Sequence, residues 1–268
     1  MFGELNVKEF NVGTNLKVGS NVRITGSDGG SAKYVAIGDN CFLGDNVNIR
    51  ANYVIIGDYA KIQHNTTIHG RGDCRIGHNF WCGQYSILDC QGGLTIGNNV
   101  GVGAHSQLWS HIRYGDTLEG CRWDSTKPLW IGNDAWFVGH CIVGPVTVEN
   151  KAMAMVGSVI TKDMEANTIY GGSPAKAIPK MGPQFYDVTV DEKYDKMMRY
   201  WKECGSPASI KIVKSSQNVM FDDGISYYDV DRRKYTKNGS DEEIAFMNFL
   251  LPTRAKFTPY ESYKEQSL

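Results

Sequence analysis

The chain has 268 residues, a formal net charge of −1 and 41% apolar residues. A near-neutral chain points to neither nucleic acid nor an anionic membrane surface as a partner. No stretch approaches the roughly 20 apolar residues of a spanning helix, so no membrane insertion is expected. Seven cysteines are scattered without a CxxC pair, which fits reduced thiols in the cytoplasm better than a disulfide framework.

Residues 1–10 lack the basic and apolar segments of a secretory signal. A repeat is expected from near Leu16. Ile37-Gly38-Asp39-Asn40 recurs as Ile56-Gly57-Asp58-Tyr59, Ile76-Gly77-His78-Asn79, Ile96-Gly97-Asn98-Asn99 and Ile131-Gly132-Asn133-Asp134. Within these units runs a shorter step, a hexad. Ile96, Val102 and Leu108 follow it, as do Ile131, Phe137 and Val143, and the same phase continues at Glu149 and Met155. A small or aliphatic residue often stands four places after the opener, as at Cys41, Val47, Ala60, Thr66, Ser86, Val100, Ser106, Ala135 and Cys141.

Three such hexads make one triangular coil of about eighteen residues, the pattern of a left-handed parallel β-helix. The opener points inward and stacks on its copy in the next coil. Gly and Asn accept the turn conformations that bulkier residues resist. No coil buries its inner face alone, so the coils must stack. A β-sandwich would instead show period-two alternation over longer runs.

Residues 27–33 and 70–74 read as small turn extensions. Residues 111–128 are a larger excursion, carrying Arg113, Tyr114, Asp116, Glu119, Arg122, Trp123, Asp124 and Lys127. A polar, aromatic loop on a rigid scaffold is where function concentrates. The helix is expected to end near Lys162, and the repeat has stopped by Pro179. Beyond it, Thr189-x-x-Glu192 and Ser240-x-x-Glu243 look like capping boxes. Tyr194, Met197, Met198 and Trp201 form one apolar helix face, while 209–214 and 225–230 read as strands. The expected organisation is a mainly β protein: a β-helix over 1–180 and a small α/β appendage over 181–268.

The run Ile131-Gly132-Asn133-Asp134-Ala135-Trp136-Phe137-Val138-Gly139-His140, then Gly144-Pro145-Val146, Val156-Gly157-Ser158-Val159-Ile160 and Gly171-Gly172-Ser173-Pro174-Ala175-Lys176, resembles the closing coils of hexapeptide acyltransferases. The galactoside, maltose, nodulation-factor and xenobiotic acetyltransferases share that ending. The likeness covers about residues 35–180. It departs where Trp-Ile-Gly reads Trp136-Phe137-Val138, with the glycine displaced to Gly139. The resemblance implies homotrimers binding acetyl-CoA between subunits, a small-molecule sugar or sugar-nucleotide acceptor, and no metal. It implies a catalytic histidine before the excursion, where Ser110-His111 stands. It places Asp89 at an acceptor-binding position, and it puts the coenzyme against Trp136, Gly139 and His140 and near Ser158, Lys162 and Lys176, the lysines meeting its phosphates.

Chemistry also favours a histidine. An alcohol is a poor nucleophile at neutral pH, and a neutral imidazole beside it contributes ~10² to 10⁴ in rate. Of the six histidines, His111 has the loop boundary. His105 and His140 share the fourth hexad position and should stack along one edge, in an outward column with Ser158. His78 reads as a turn residue. His64 and His69 resemble two of the three zinc ligands of γ-class carbonic anhydrases, but no histidine precedes His64 to complete the site; solvated turn residues are the simpler reading. In the excursion, Trp123 could stack on a sugar face and Asp116 or Glu119 bind its hydroxyls. The leading expectation is acetyl transfer to a sugar hydroxyl. The alternatives are acetyl transfer to the amine of a nucleotide-linked amino sugar, and a non-catalytic trimeric scaffold.

Overall fold

The structure is a computed structural model that describes residues 2–221 and 223–260. Residues 261–268, the end of the expected appendage, lie outside the described residues. Two compact units divide the chain, Met1–Phe185 and Tyr186–Leu268.

The first unit is the left-handed parallel β-helix. Each turn of the chain adds one strand to each of three sheets, of eight, seven and nine strands. The unit repeat becomes a column: Ile56, Ile76, Ile96 and Ile131 stand in register and are at most 3% exposed. Cys41, Val47, Ala60, Thr66, Ser86, Val100, Ser106, Ala135 and Cys141 are also buried. Two inward residues per hexad thus build the core, each large aliphatic one contributing about 1.5–3 kcal/mol on burial.

The polar hexad positions have equally specific work. The third residue bonds to the backbone of the coil before it: Asn98 Oδ1 accepts from His78 N–H at 2.8 Å, and Asn133 Oδ1 from Asn98 N–H at 2.7 Å. The fourth residue turns the corner in the left-handed region, with φ of 58° at Asn79 and 64° at Asn99, where asparagine is tolerated best after glycine. Their amides form a ladder, Asn79 Nδ2 to Asn99 Oδ1 at 2.8 Å and Asn99 Nδ2 to Asp134 Oδ1 at 3.1 Å. The second position is tight: a Cβ on Gly57 would lie 2.7 Å from His78 N.

Three sequence expectations need correction. The β-helix begins before Leu16, because Phe2–Leu5 pairs with Val22–Thr25 and Val7–Val12 with Ala32–Ile37. These first strands lack the aliphatic-Gly signature because they close the end of the core with Phe2 and Phe10, packed edge-to-face at 6.0 Å. The β-helix also continues past Lys162: Ile169–Gly172 pairs with Met153–Ala154 and then folds back against Ala175–Ala177. Finally, the phase slips by one residue after Val143. The next inward residues are Val148, Ala154 and Ile160, not Glu149 and Met155, since the side through Gly144-Pro145-Val146-Thr147 is one residue short.

The second unit has a helix Val190–Glu203, a helix Asp241–Leu250 and a four-stranded sheet. Thr189 and Glu192 form the expected capping box. At Ser240 only half of one forms: its hydroxyl accepts from Glu243 N–H. The buried Glu243 carboxylate instead accepts from Ser226 Oγ, Asn238 N–H and Gly239 N–H. The core gathers Tyr228, Tyr235, Phe246 and Phe257, with the Tyr228 ring edge-on to both phenylalanines at 5.1 Å. No helix of the described residues is long and apolar enough to cross a membrane.

Candidate active site

Asp89 ends the strand Ile87–Asp89, and Ser110 and His111 follow the next strand of that sheet, Gln107–Leu108. At this corner the chain leaves the β-helix as an antiparallel hairpin, His111–Arg113 against Asp124–Thr126, with His111 opposite Thr126. Its base is tied down. Lys127 N–H donates to Ser110 O at 3.0 Å, and Gly92 N–H to Ser110 Oγ at 2.9 Å.

Under the hairpin Asp89 is completely buried. Its Oδ2 accepts from Ser110 N–H at 2.8 Å, from Ser110 Oγ at 2.7 Å and from His111 Nδ1 at 2.8 Å. Burial pushes the Asp89 carboxyl up. The bonds from the Ser110 hydroxyl, the His111 ring and the Ser110 amide outweigh burial and hold it below the ordinary carboxylate range. An ionised carboxylate only accepts, so Nδ1 of His111 is the donor; in the neutral ring the lone pair then lies on Nε2. The corner therefore holds an imidazole oriented by a buried carboxylate. Asp89 is not the open acceptor-binding residue expected from sequence: it is fully buried, its Oδ2 is taken by Ser110 and His111, and its Oδ1 accepts from Gln91 N–H at 3.3 Å.

Two neighbours complete this corner. His69 stands beside Asp89 in register, with its Nδ1 3.8 Å from Asp89 Oδ1. Trp109 lies edge-on to both imidazoles, its ring centroid 6.3 Å from His69 and 6.0 Å from His111, and its Nε1 donates to Gln107 Oε1 at 3.2 Å. Burial pushes the His69 pKa down; Asp89 opposes this, and the charges of Arg50 and His111 add to it. His69 is thus not the solvated turn residue expected from sequence: it ends the strand Thr67–His69 and is half-buried. The signal was available, because His69 and Asp89 are separated by the same interval as Ile76 and Ile96.

The other candidates are dispersed. In the hairpin, Asp116 Oδ1 accepts from Leu118 N–H at 2.9 Å, Arg113 pairs with Asp124 at 3.3 Å, and Trp123 is exposed. Trp136 is exposed on the nine-stranded sheet above Gly101, where an added Cβ would meet its indole at 3.2 Å. Gly139 is buried with φ of 150°, and Lys162 and Lys176 are exposed. His105 and His140 do stack, at 4.9 Å, with Tyr85 next in line at 5.1 Å from His105. Ser158 does not join that column. The phase slip makes it an inward residue, fully buried, donating to Met155 O at 2.6 Å; Gly157 takes the outward place. The histidine stack turns from the nine-stranded to the eight-stranded sheet, whereas His111 leaves the eight-stranded sheet toward the seven-stranded one. In one chain the two groups occupy different edges of the prism.

Among the described residues no group of three or more His, Cys, Asp or Glu is arranged to hold a metal ion. His64 and His78 instead serve the coil backbone, their Nδ1 atoms accepting from Asp45 N–H at 2.9 Å and Asp58 N–H at 3.0 Å.

The chain is thus a triangular parallel β-helix of hexad coils, interrupted by a hairpin beside a histidine. No family model matches the chain. Among curated proteins it is similar to the galactoside O-acetyltransferase of Escherichia coli K12, 25% identical over 48% of this chain and 65% of that one. It is also similar to a chloramphenicol acetyltransferase of Agrobacterium fabrum, 30% identical over 39% of this chain and 60% of that one. The chain thus spans less than two-thirds of the length of either relative. Among solved structures, the polySia-specific acetyltransferase NeuO shares the fold, with a TM-score of 0.53 and 17% identity over 76% of this chain and 98% of that one.

Proposed function

We propose that the chain transfers acetyl from acetyl-CoA to a sugar hydroxyl, with His111 as general base. The observation that carries this is the 2.8 Å contact between His111 Nδ1 and a buried, ionised Asp89, which leaves Nε2 as a base beside the hairpin. The hydroxyl gives its proton to Nε2 as its oxygen bonds to the thioester carbon. The C–S bond breaks, and the departing sulfur takes the proton back from the imidazolium. Asp89 stabilises that transient cation and fixes the ring, the role of the acid in a Ser-His-Asp triad. The thioester is already activated, so no covalent enzyme intermediate is required.

The acceptor, a sugar or sugar nucleotide, sits under the hairpin, with Asp116 and Trp123 as its contacts. Trp136, Gly139 and His140 line the coenzyme, and Lys162 and Lys176 meet its phosphates as point charges. Ser158 drops out of this set. Since His111 and the His105–His140 stack lie on different edges of one prism, a homotrimer brings the edge of one copy to that of the next, which supports sites between subunits. Seven free cysteines support a reducing, cytoplasmic setting.

The test is a panel of sugars, amino sugars and nucleotide sugars incubated with labelled acetyl-CoA, the products treated with hydroxylamine. A hydroxylamine-labile acetyl ester supports the reading. A stable amide, or no transfer with any acceptor, overturns it.

A further inference from the structure

His69 is the half-buried histidine that the β-helix does not consume. His64 and His78 give their Nδ1 atoms to backbone amides, and His111 gives its own to Asp89. Among the described residues no hydrogen bond reaches either ring nitrogen of His69; the Asp89 oxygen at 3.8 Å is an electrostatic neighbour, too far to bond. Yet the ring lies on the reacting corner. It faces the same carboxylate as His111 and touches the same indole, Trp109. Two imidazoles therefore flank one apolar plate, each with Nδ1 turned to Asp89 and Nε2 across the ring from it.

We propose that His69 is a specificity-determining residue of the acceptor site: while His111 receives the proton of the hydroxyl to be acylated, the His69 ring holds the neighbouring hydroxyl of a vicinal diol. The inference rests on the proposed acetyl transfer and adds the acceptor's chemistry to it. A neutral imidazole offers one donor and one acceptor, the same pair that a hydroxyl presents. Burial keeps His69 in that neutral form near pH 7. Trp109, edge-on to both rings, places an aromatic side chain beside them, and adjacent carbons of a sugar present two hydroxyls, one for each imidazole. A lone alcohol or an isolated amine would leave one imidazole unused.

The test measures thiol release at saturating acetyl-CoA with methyl galactoside, methyl glucoside and a methyl sialoside, each beside its monodeoxy derivatives. Wild type is compared with His69→Ala and His69→Asn, after thermal unfolding confirms that both variants fold. For the acetylated sugar, His69→Ala raises the acceptor KM roughly two- to tenfold, the scale of one lost neutral hydrogen bond, and leaves kcat within about twofold. His69→Asn, which keeps a donor and an acceptor, recovers part of the loss. For the monodeoxy derivative lacking the held hydroxyl, wild type and His69→Ala have the same KM. An unchanged KM for the intact sugar overturns the assignment, as does an equal loss with every derivative. Thiol release by no sugar with wild type overturns the acetyl-transfer reading itself; release by wild type with His69→Ala indistinguishable from it overturns the assignment of His69 alone.

Discussion

Replacing Asp89 by Asn separates the two jobs assigned to that carboxylate. Three groups donate to Oδ2: Ser110 N–H, Ser110 Oγ and His111 Nδ1. In the variant the amide oxygen takes that place, since an NH₂ there would face three donors. The NH₂ then lies at Oδ1, near Gln91 N at 3.3 Å and His69 Nδ1 at 3.8 Å. The His111 tautomer survives and the negative charge does not. Two unit charges about 4 Å apart at an effective dielectric near 20 interact by about 4 kcal/mol, and the amide dipole recovers part of that. Asp89→Asn should therefore lower kcat for thiol release by ~10² to 10³, with the KM for acetyl-CoA within about twofold of wild type. A fall nearer 10⁴, the scale of a lost tautomer, would show that the amide had flipped. A kcat within about threefold of wild type would refute the idea that a buried anion supports the base.

The same carboxylate gives a stability prediction with a definite sign. Its folded pKa lies below the ordinary value near 3.9, so its contribution is full above about pH 4 and is lost as pH falls through the folded value. The unfolding free energy of wild type minus that of Asp89→Asn should shrink between about pH 6 and pH 3 in denaturant melts; a constant difference would remove the claim. Replacing residues 112–125 by a short Gly-Ser turn should abolish sugar acetylation while acetyl-CoA still raises the melting temperature; retained transfer with unchanged preference would place acceptor recognition elsewhere. Leu88→Ala, at a fully buried inward position, should cost about 2–5 kcal/mol in chemical denaturation; a cost under about 1 kcal/mol would contradict the packing described for that column.

The β-helix was legible because its inward positions repeat chemically. Ile56, Ile76, Ile96 and Ile131 fill the same place and keep the same residue. Its ends were not legible, because there the stacking partner is missing on one side. Phe2 and Phe10 replace the aliphatic column, and Ile169–Gly172 turns back on itself. The one-residue slip after Val143 was invisible to a fixed step and moved Ser158 from an expected outer edge into the core. At the candidate site, the position of His111 before the excursion is legible in the sequence. Asp89 was singled out, but its role depended on burial beneath Ser110, which spacing alone does not give. The surroundings of His69 are not legible from His64, its neighbour in sequence, because they are set by Asp89, its neighbour in the next coil.

The central claim, that His111 is the base for acetyl transfer, is tested most directly by the turnover number of His111→Ala in thiol release from acetyl-CoA with a sugar that wild type acetylates. The account predicts a fall of ~10² or more with the acetyl-CoA thermal shift intact, whereas wild-type turnover in that variant, with loss instead in His105→Ala or His140→Ala, would contradict it.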